Sequence, residues 1–130
     1  MWKELQLIVY DFDGVMTDNR VMVSEDGIES VIVSRADGLG VYMIKEMGVP
    51  QMILTAETNP VVSLRAKKLG IPVLQGVDDK KTVLLNYCKD NNYDPGGILY
   101  VGNDVNDKGV MKAVGYSVAT ADAHHSIKSL

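Results

Sequence analysis

Five short apolar runs, each set apart from the next by a helix-length or turn-rich stretch, constrain the fold of this chain more than any other feature. Residues 5–10, 51–55, 72–75, 98–101 and 116–119 read as strands. The stretches between them carry helix boundary signals. Asp37 can cap a helix that ends near Gly48, Asn59 and Pro60 form a favourable Ncap–N1 pair for one that ends at Gly70, and Asp78 or Asp79 opens a third through about Asp90. Alternating strands and helices imply an α/β fold with a mostly parallel five-stranded sheet, helices on both faces and right-handed crossovers.

Composition bounds the class. With 130 residues, 46% hydrophobic content and a formal charge of −4 from 13 basic and 17 acidic side chains, the sequence reads as one mildly acidic globular domain over residues 1–130. Its lysines are scattered among acids, so no basic stripe supports a nucleic-acid partner. No apolar run approaches the ~20 residues of a membrane span, and Met1-Trp2-Lys3-Glu4 lacks a signal-peptide pattern, which makes a cytoplasmic location the expectation. The single cysteine, Cys88, falls in a helical stretch and is expected to be a packed thiol, while His124 and His125 have no partners at ligand spacing and read as surface residues.

Chemistry concentrates where the first strand ends. Side chains alternate along a strand, so Asp11 and Asp13 project from the same side of its carboxyl end, the edge at which open α/β sheets place their sites. Gly14 lets the chain leave through a conformation that a larger residue would strain, and Thr17 and Asp18 keep the exit polar. An unperturbed aspartate titrates near ~3.9, so Asp11 is expected to be ionised at neutral pH and able to attack phosphorus, giving an acyl phosphate. Asp13 would protonate the leaving alcohol and later deprotonate the hydrolytic water, a role worth roughly 10²- to 10⁴-fold. Taken alone, the pair also fits two solvated turn aspartates after a core strand.

The wider context resolves the choice. Asp11-Phe12-Asp13-Gly14-Val15-Met16-Thr17-Asp18 resembles the first motif of the haloacid dehalogenase superfamily of phosphotransferases, in which the first Asp is the nucleophile and the second the acid and base. Ile53-Leu54-Thr55 resembles the second motif, whose hydroxyl donates to a phosphate oxygen. Lys80, after Gln75-Gly76-Val77-Asp78-Asp79, resembles the third, a cation that offsets charge on nucleophile and phosphoryl group, with Lys81 as the neighbouring alternative. Gly102-Asn103-Asp104-Val105-Asn106-Asp107 resembles the fourth, which completes a Mg²⁺ site. The superfamily usually has Asp directly after that glycine, whereas this chain has Asn103, an oxygen donor without charge. The resemblance implies a shell of an Asp11 oxygen, the Asp13 main-chain carbonyl and Asn103, with Asp104 or Asp107 contributing directly or through water. Asp rather than Thr at position 13 implies rapid dephosphorylation.

The resemblance also implies a Rossmann-like core. Residues 20–33 form two alternating runs around Ser24-Glu25-Asp26-Gly27 and read as a β-hairpin standing where larger relatives insert a cap, so the chain is expected to be capless. Val21, Val23, Ile28, Val31 and Val33 would leave that ribbon too apolar to stand alone, which predicts a homo-oligomer. In the capless group that the chain resembles, hairpins of four subunits associate and a neighbour helps cover each site, which implies a homotetramer. Within that group the chain is similar to phosphatases of 3-deoxy-manno-octulosonate 8-phosphate and of nine-carbon sialic acid phosphates, and to the phosphatase-like domain of some acylneuraminate cytidylyltransferases. The implied substrate is a sugar acid phosphate, with Arg65 and Lys68 as cations for its carboxylate and Glu57 as a hydroxyl acceptor. Ala56-Glu57 after the motif threonine leans toward the sialic acid side, and the sequence stops at Leu130, where relatives in the octulosonate branch often continue with a glycine-rich tail. A non-catalytic oligomerisation or regulatory module related to the cytidylyltransferase-linked domain is the alternative, sustained by Asn103.

Overall fold

A computed structural model describes residues 5–103 and 107–120. Its main sheet has five strands, β1 (Leu7–Tyr10), β4 (Gln51–Leu54), β5 (Val73–Leu74), β6 (Ile98–Gly102) and β7 (Tyr116–Ala119), in the spatial order β5-β4-β1-β6-β7. Every pairing is parallel, with Ile8 opposite Gln51 on one side of β1 and opposite Leu99 on the other. A short antiparallel ribbon, β2 (Met22–Val23) and β3 (Glu29–Ser30), lies between β1 and the first helix, joined to the body by a bridge from Thr17 to Val33. The α/β class, the five strands and the hairpin thus stand where the sequence places them.

The helices follow from local chemistry. In α1 (Arg35–Glu46) the Ser34 hydroxyl accepts the Ala36 N–H, and Asp37 sits in the first turn. The cap expected of Asp37 therefore belongs to Ser34, three residues earlier, a spacing that lets the acid face the helix N-terminus instead. Asn59 caps α2 (Pro60–Leu69) with proline at its first position, and Gly70 closes it at φ 74°. Asp79 caps α3 (Lys80–Asp90) by accepting the Thr82 N–H, and α4 (Lys108–Ala113) follows β6.

Strand alternation divides the core in two. Leu7, Val9, Met52, Leu54, Ile98 and Tyr100 face one side with Leu84 and Cys88 of α3 and Val110 and Met111 of α4, whereas Ile53 faces the other with Val41 of α1 and Val62 and Ala66 of α2. Burying one such side chain fully is worth about 1.5–3 kcal/mol, and these two layers hold the central strands rigidly beneath the carboxyl edge of the sheet. Cys88 is a buried free thiol, as expected. Only the ribbon separates β1 from α1, and only α2 and β5 lie between β4 and α3, so no cap domain is inserted at either place. Among the described residues no helix is long and apolar enough to cross a membrane.

Candidate active site

Asp11 continues the parity of Leu7 and Val9 and so turns toward the α3 and α4 side of the sheet. There its Oδ1 accepts the Phe12 N–H at 2.8 Å and lies 3.1 Å from Lys80 Nζ, at the first turn of α3. Lys80 Nζ also donates to Asp107 Oδ1 at 2.7 Å, and the same oxygen takes the Tyr100 hydroxyl at 2.7 Å. Asp107 Oδ2 accepts the Asn103 N–H at 3.1 Å. Lys80, Asp107 and Tyr100 are all buried, so one cation is shared by two carboxylates in a low-dielectric setting. Lys81 is exposed, and the geometry selects Lys80.

The turn after β1 sets the second carboxylate. Met16 N–H donates to the Phe12 carbonyl, and the Thr17 hydroxyl oxygen accepts the N–H groups of Gly14 and Asn19. Asp13 lies in this turn rather than on the strand, yet it lines one cavity with Asp11, as strand alternation suggests. Gly14 has φ 81°, and a Cβ built on it would fall 1.7 Å from Asn103 Nδ2. Glycine is required there on both counts. The shared cavity, about 340 Å³, is lined by Asp11, Asp13, Asn19, Thr55, Glu57 and Thr58 among others. Thr55 is buried, and its Oγ1 accepts the Glu57 N–H at 3.1 Å, which leaves its own proton for an acceptor in the cavity. The Glu57 carboxylate is fixed by the N–H groups of Thr58 and Asn59, both at 2.9 Å.

Burial raises the Asp11 carboxyl to about 7, against the opposing pull of Lys80 and with a further upward push from Asp107. Burial thus opposes the ionisation expected of an unperturbed aspartate, and the Lys80 ammonium favours it. Asp13 is raised by burial and by the negative charges of Glu57 and Glu29. Asp107 is lowered, because Lys80 and the donors Tyr100 and Asn103 outweigh its own burial.

The donor set suits a hard cation. Asn103 is buried, and its Oδ1 has no hydrogen-bond partner among the described residues, so an amide oxygen stands desolvated and unpaired beside Gly14 and the Asp13–Gly14 turn. No described residue donates to Asp11 Oδ2. Among the described residues no three His, Cys, Asp or Glu side chains cluster as ligands, so any metal here would rest on a mixed set of carboxylate, amide and main-chain oxygens. Asp107 is engaged by protein donors through both oxygens, and Asp104 lies outside the described residues.

Arg65 and Lys68 do not line this chain's own cavity. Arg65 Nη2 instead donates to the Ser34 carbonyl at 2.9 Å, bracing α2 against the start of α1, and Lys68 is exposed. Two participants escaped the sequence reading. Tyr100 was legible only as an apolar strand residue, although its parity with Ile98 and Gly102 aims it at the α3 side. Asn19 adopts φ 68°, a left-handed conformation uncommon for a residue other than glycine, at the cavity wall.

Comparison with known proteins places this arrangement. A family model described as haloacid dehalogenase-like hydrolase matches residues 54–130. The chain belongs to the haloacid dehalogenase-like hydrolases. Among members of this family, the 3-deoxy-D-manno-octulosonate 8-phosphate phosphatase of Yersinia pestis is 33% identical over 121 residues, which cover 92% of this chain and 65% of that protein. The chain thus spans somewhat less than two thirds of that relative's length. A crystal structure assigned to the HAD hydrolases, from Streptomyces avermitilis, superposes with a TM-score of 0.95 at 44% identity, covering 99% of this chain and 74% of that one. The 3-deoxy-D-manno-octulosonate 8-phosphate phosphatase of Moraxella catarrhalis, solved with magnesium, phosphate and a KDO molecule, superposes at a TM-score of 0.90 and 29% identity, covering 95% of this chain and 71% of that one. The haloacid dehalogenase-like fold of this chain is therefore shared with hydrolases whose structures hold a divalent metal.

Proposed function

We propose that this chain is a Mg²⁺-dependent phosphomonoesterase that works through an aspartyl phosphate on Asp11, acting on a sugar acid phosphate. The observation that carries the proposal is the buried cation shared between Asp11 and Asp107, with an unpaired Asn103 oxygen against Gly14 and with Asp11 itself lining a cavity beside Asp13 and Thr55. Asp11 Oδ2 attacks phosphorus, the phosphorus–oxygen bond of the ester breaks, and Asp13 gives its proton to the departing alcohol. Raised by burial and by Glu57 and Glu29, Asp13 holds that proton more readily than an exposed aspartate would. Asp13 then takes a proton from water, whose attack on phosphorus frees Asp11. Thr55 donates to a phosphoryl oxygen, and Lys80 steadies the charge shifting between nucleophile and phosphate.

The metal would be held by Asp11, the Asp13 carbonyl and Asn103, with Asp107 steadying Asn103 by accepting its N–H and Asp104 as a further candidate. When bound, it supplies positive charge that offsets the phosphoryl oxygens and keeps Asp11 ionised. Support comes from the oxygen-only donors and from the magnesium-containing Moraxella relative.

Substrate class rests on the similarity to octulosonate phosphatases and on Glu57 at the cavity, a hydroxyl acceptor in position. A nonulosonate 9-phosphate and 3-deoxy-manno-octulosonate 8-phosphate are the two candidates. Arg65 and Lys68, which stand away from this chain's cavity, would meet substrate only from a second copy. A homotetramer is the assembly proposed, because the hairpin exposes Met22 at 69% and Ile32 at 75%, and α1 adds Leu39, Tyr42 and Met43.

Phosphate release from a panel of sugar acid phosphates, with Mg²⁺ and with chelator, tests the proposal on wild type and Asp11→Asn. Activity in the wild type alone, abolished by chelator, is expected. Equal slow release from both proteins would instead favour the non-catalytic module.

A further inference from the structure

Tyr100 stands on β6 directly opposite Val9 of β1, so its ring lies on the face to which Asp11 turns, one strand repeat below it. The ring is fully buried in the core layer under α3 and α4, while the hydroxyl reaches the carboxyl edge and donates to Asp107 Oδ1 at 2.7 Å. A phenylalanine would fill the same core volume, so packing accounts for the ring and not for the hydroxyl. Gly102, of the same parity on β6, makes room for the acceptor. A Cβ there would stand 2.9 Å from Asp107 Oδ2, so the carboxylate is seated against a strand backbone that carries no side chain at that point.

The seat matters because one ammonium serves two carboxylates. Lys80 Nζ lies 2.7 Å from Asp107 Oδ1 and 3.1 Å from Asp11 Oδ1, with all three groups buried, so it stands nearer the acid that does no chemistry than the acid that attacks. In a low-dielectric interior an Asp107 oxygen with no other donor would draw the ammonium to itself, away from Asp11 and the phosphoryl group. The Tyr100 phenol, a donor at neutral pH because an unperturbed tyrosine titrates near ~10, shares that same oxygen and offsets part of its negative charge. The Asn103 main-chain N–H acts likewise on Oδ2.

We propose that Tyr100 is a positioning residue for phosphoryl transfer: by sharing Asp107 Oδ1 with Lys80 it loosens the Lys80–Asp107 pair and leaves the ammonium directed at Asp11 Oδ1 and the phosphoryl oxygens. This deepens the phosphatase reading and rests on it. Tyr100 does not line the cavity over Asp11, and its effect passes through the Asp107 carboxylate. Lys80 acts on the nucleophile and the phosphoryl group rather than on the departing alcohol, so the contribution of Tyr100 falls on the chemical step and is the same for good and poor leaving groups.

Steady-state kinetics with Mg²⁺ on p-nitrophenyl phosphate and on 3-deoxy-manno-octulosonate 8-phosphate, for wild type, Tyr100→Phe, Asp107→Asn and the double variant, provide the test. Tyr100→Phe is expected to lower kcat roughly tenfold on both substrates and to leave KM within about twofold. In the Asp107→Asn background the same change should have little further effect, since the carboxylate through which the phenol acts is gone. Cys88→Ala removes a buried thiol from the same core layer and controls for lost packing; it should lower Tm and leave kcat unchanged. Losses that multiply in the double variant, a raised KM with kcat intact, a loss on one substrate only, or an equal loss of kcat from Cys88→Ala overturn the assignment. Full activity of Tyr100→Phe also overturns it and leaves the phosphatase reading intact, whereas a wild type that releases no phosphate from either substrate sinks both.

Discussion

Asp11 carries opposite demands, since it must be buried to meet Lys80 and charged to attack. Its carboxyl, raised to about 7 chiefly by burial, binds a proton more tightly in the folded chain than in the unfolded one, so its contribution to stability is present below about pH 4 and is lost as pH rises through 7. Asp11→Asn is therefore expected to raise Tm by several degrees at pH 8 in chelator, with the gain vanishing near pH 4; thermal melts across that range check it, and a lower Tm at pH 8 would contradict it. Asn103 supplies the converse case. Asn103→Asp adds a buried charge at the position next to Gly14 and should lower stability in chelator while tightening Mg²⁺ binding roughly tenfold, read by calorimetry. Asp11, Asp13, Thr55 and Lys80 were legible as residues because polar groups at strand ends and helix starts have little packing purpose. Tyr100 was not, since an aromatic residue on a buried strand gives no hint of where its hydroxyl will find a partner.

At the scale of elements, the helices are fixed by short-range chemistry that sequence displays well. Asn59-Pro60, Gly70 and Asp79 fall at the observed boundaries, whereas Ser34 replaces Asp37 because both can satisfy the same helix start and only the turn geometry decides. Asn59→Ala removes the bond to the Val61 N–H and is expected to cost about 1 kcal/mol in denaturant unfolding. The hairpin shows where alternation misleads. Val31 and Val33, expected on the exposed ribbon, pack against the α1 and α2 layer, and Met22 and Ile32 take their place outside. The bridge from Thr17 to Val33 ties the returning strand to the body, a long-range pairing that no local pattern encodes.

For the whole molecule, the parallel sheet brings four separated segments to one edge, and this was legible because strand order in an alternating fold is narrowly constrained. The disposition of Arg65 and Lys68 was not, since helical spacing gives a shared face but not the direction in which that face looks. Exposed apolar side chains on the hairpin bear on assembly. If the proposed tetramer forms through the hairpin, Met22→Glu with Ile32→Glu is expected to shift it toward monomer in light scattering, and an unchanged mass would exclude the hairpin as the interface. The central claim is that phosphate passes through Asp11, and trapping it is the most direct measurement. Asp13→Asn, expected to slow hydrolysis of the intermediate by roughly 10²- to 10⁴-fold, is mixed with Mg²⁺ and p-nitrophenyl phosphate, whose leaving group departs without the proton Asp13 would give an alcohol, then quenched in acid and mapped by mass spectrometry. One phosphoryl group on the peptide containing Asp11, lost when Asp11→Asn is added, is the expected result; phosphate release by the wild type with that peptide never modified in the trap would contradict the account.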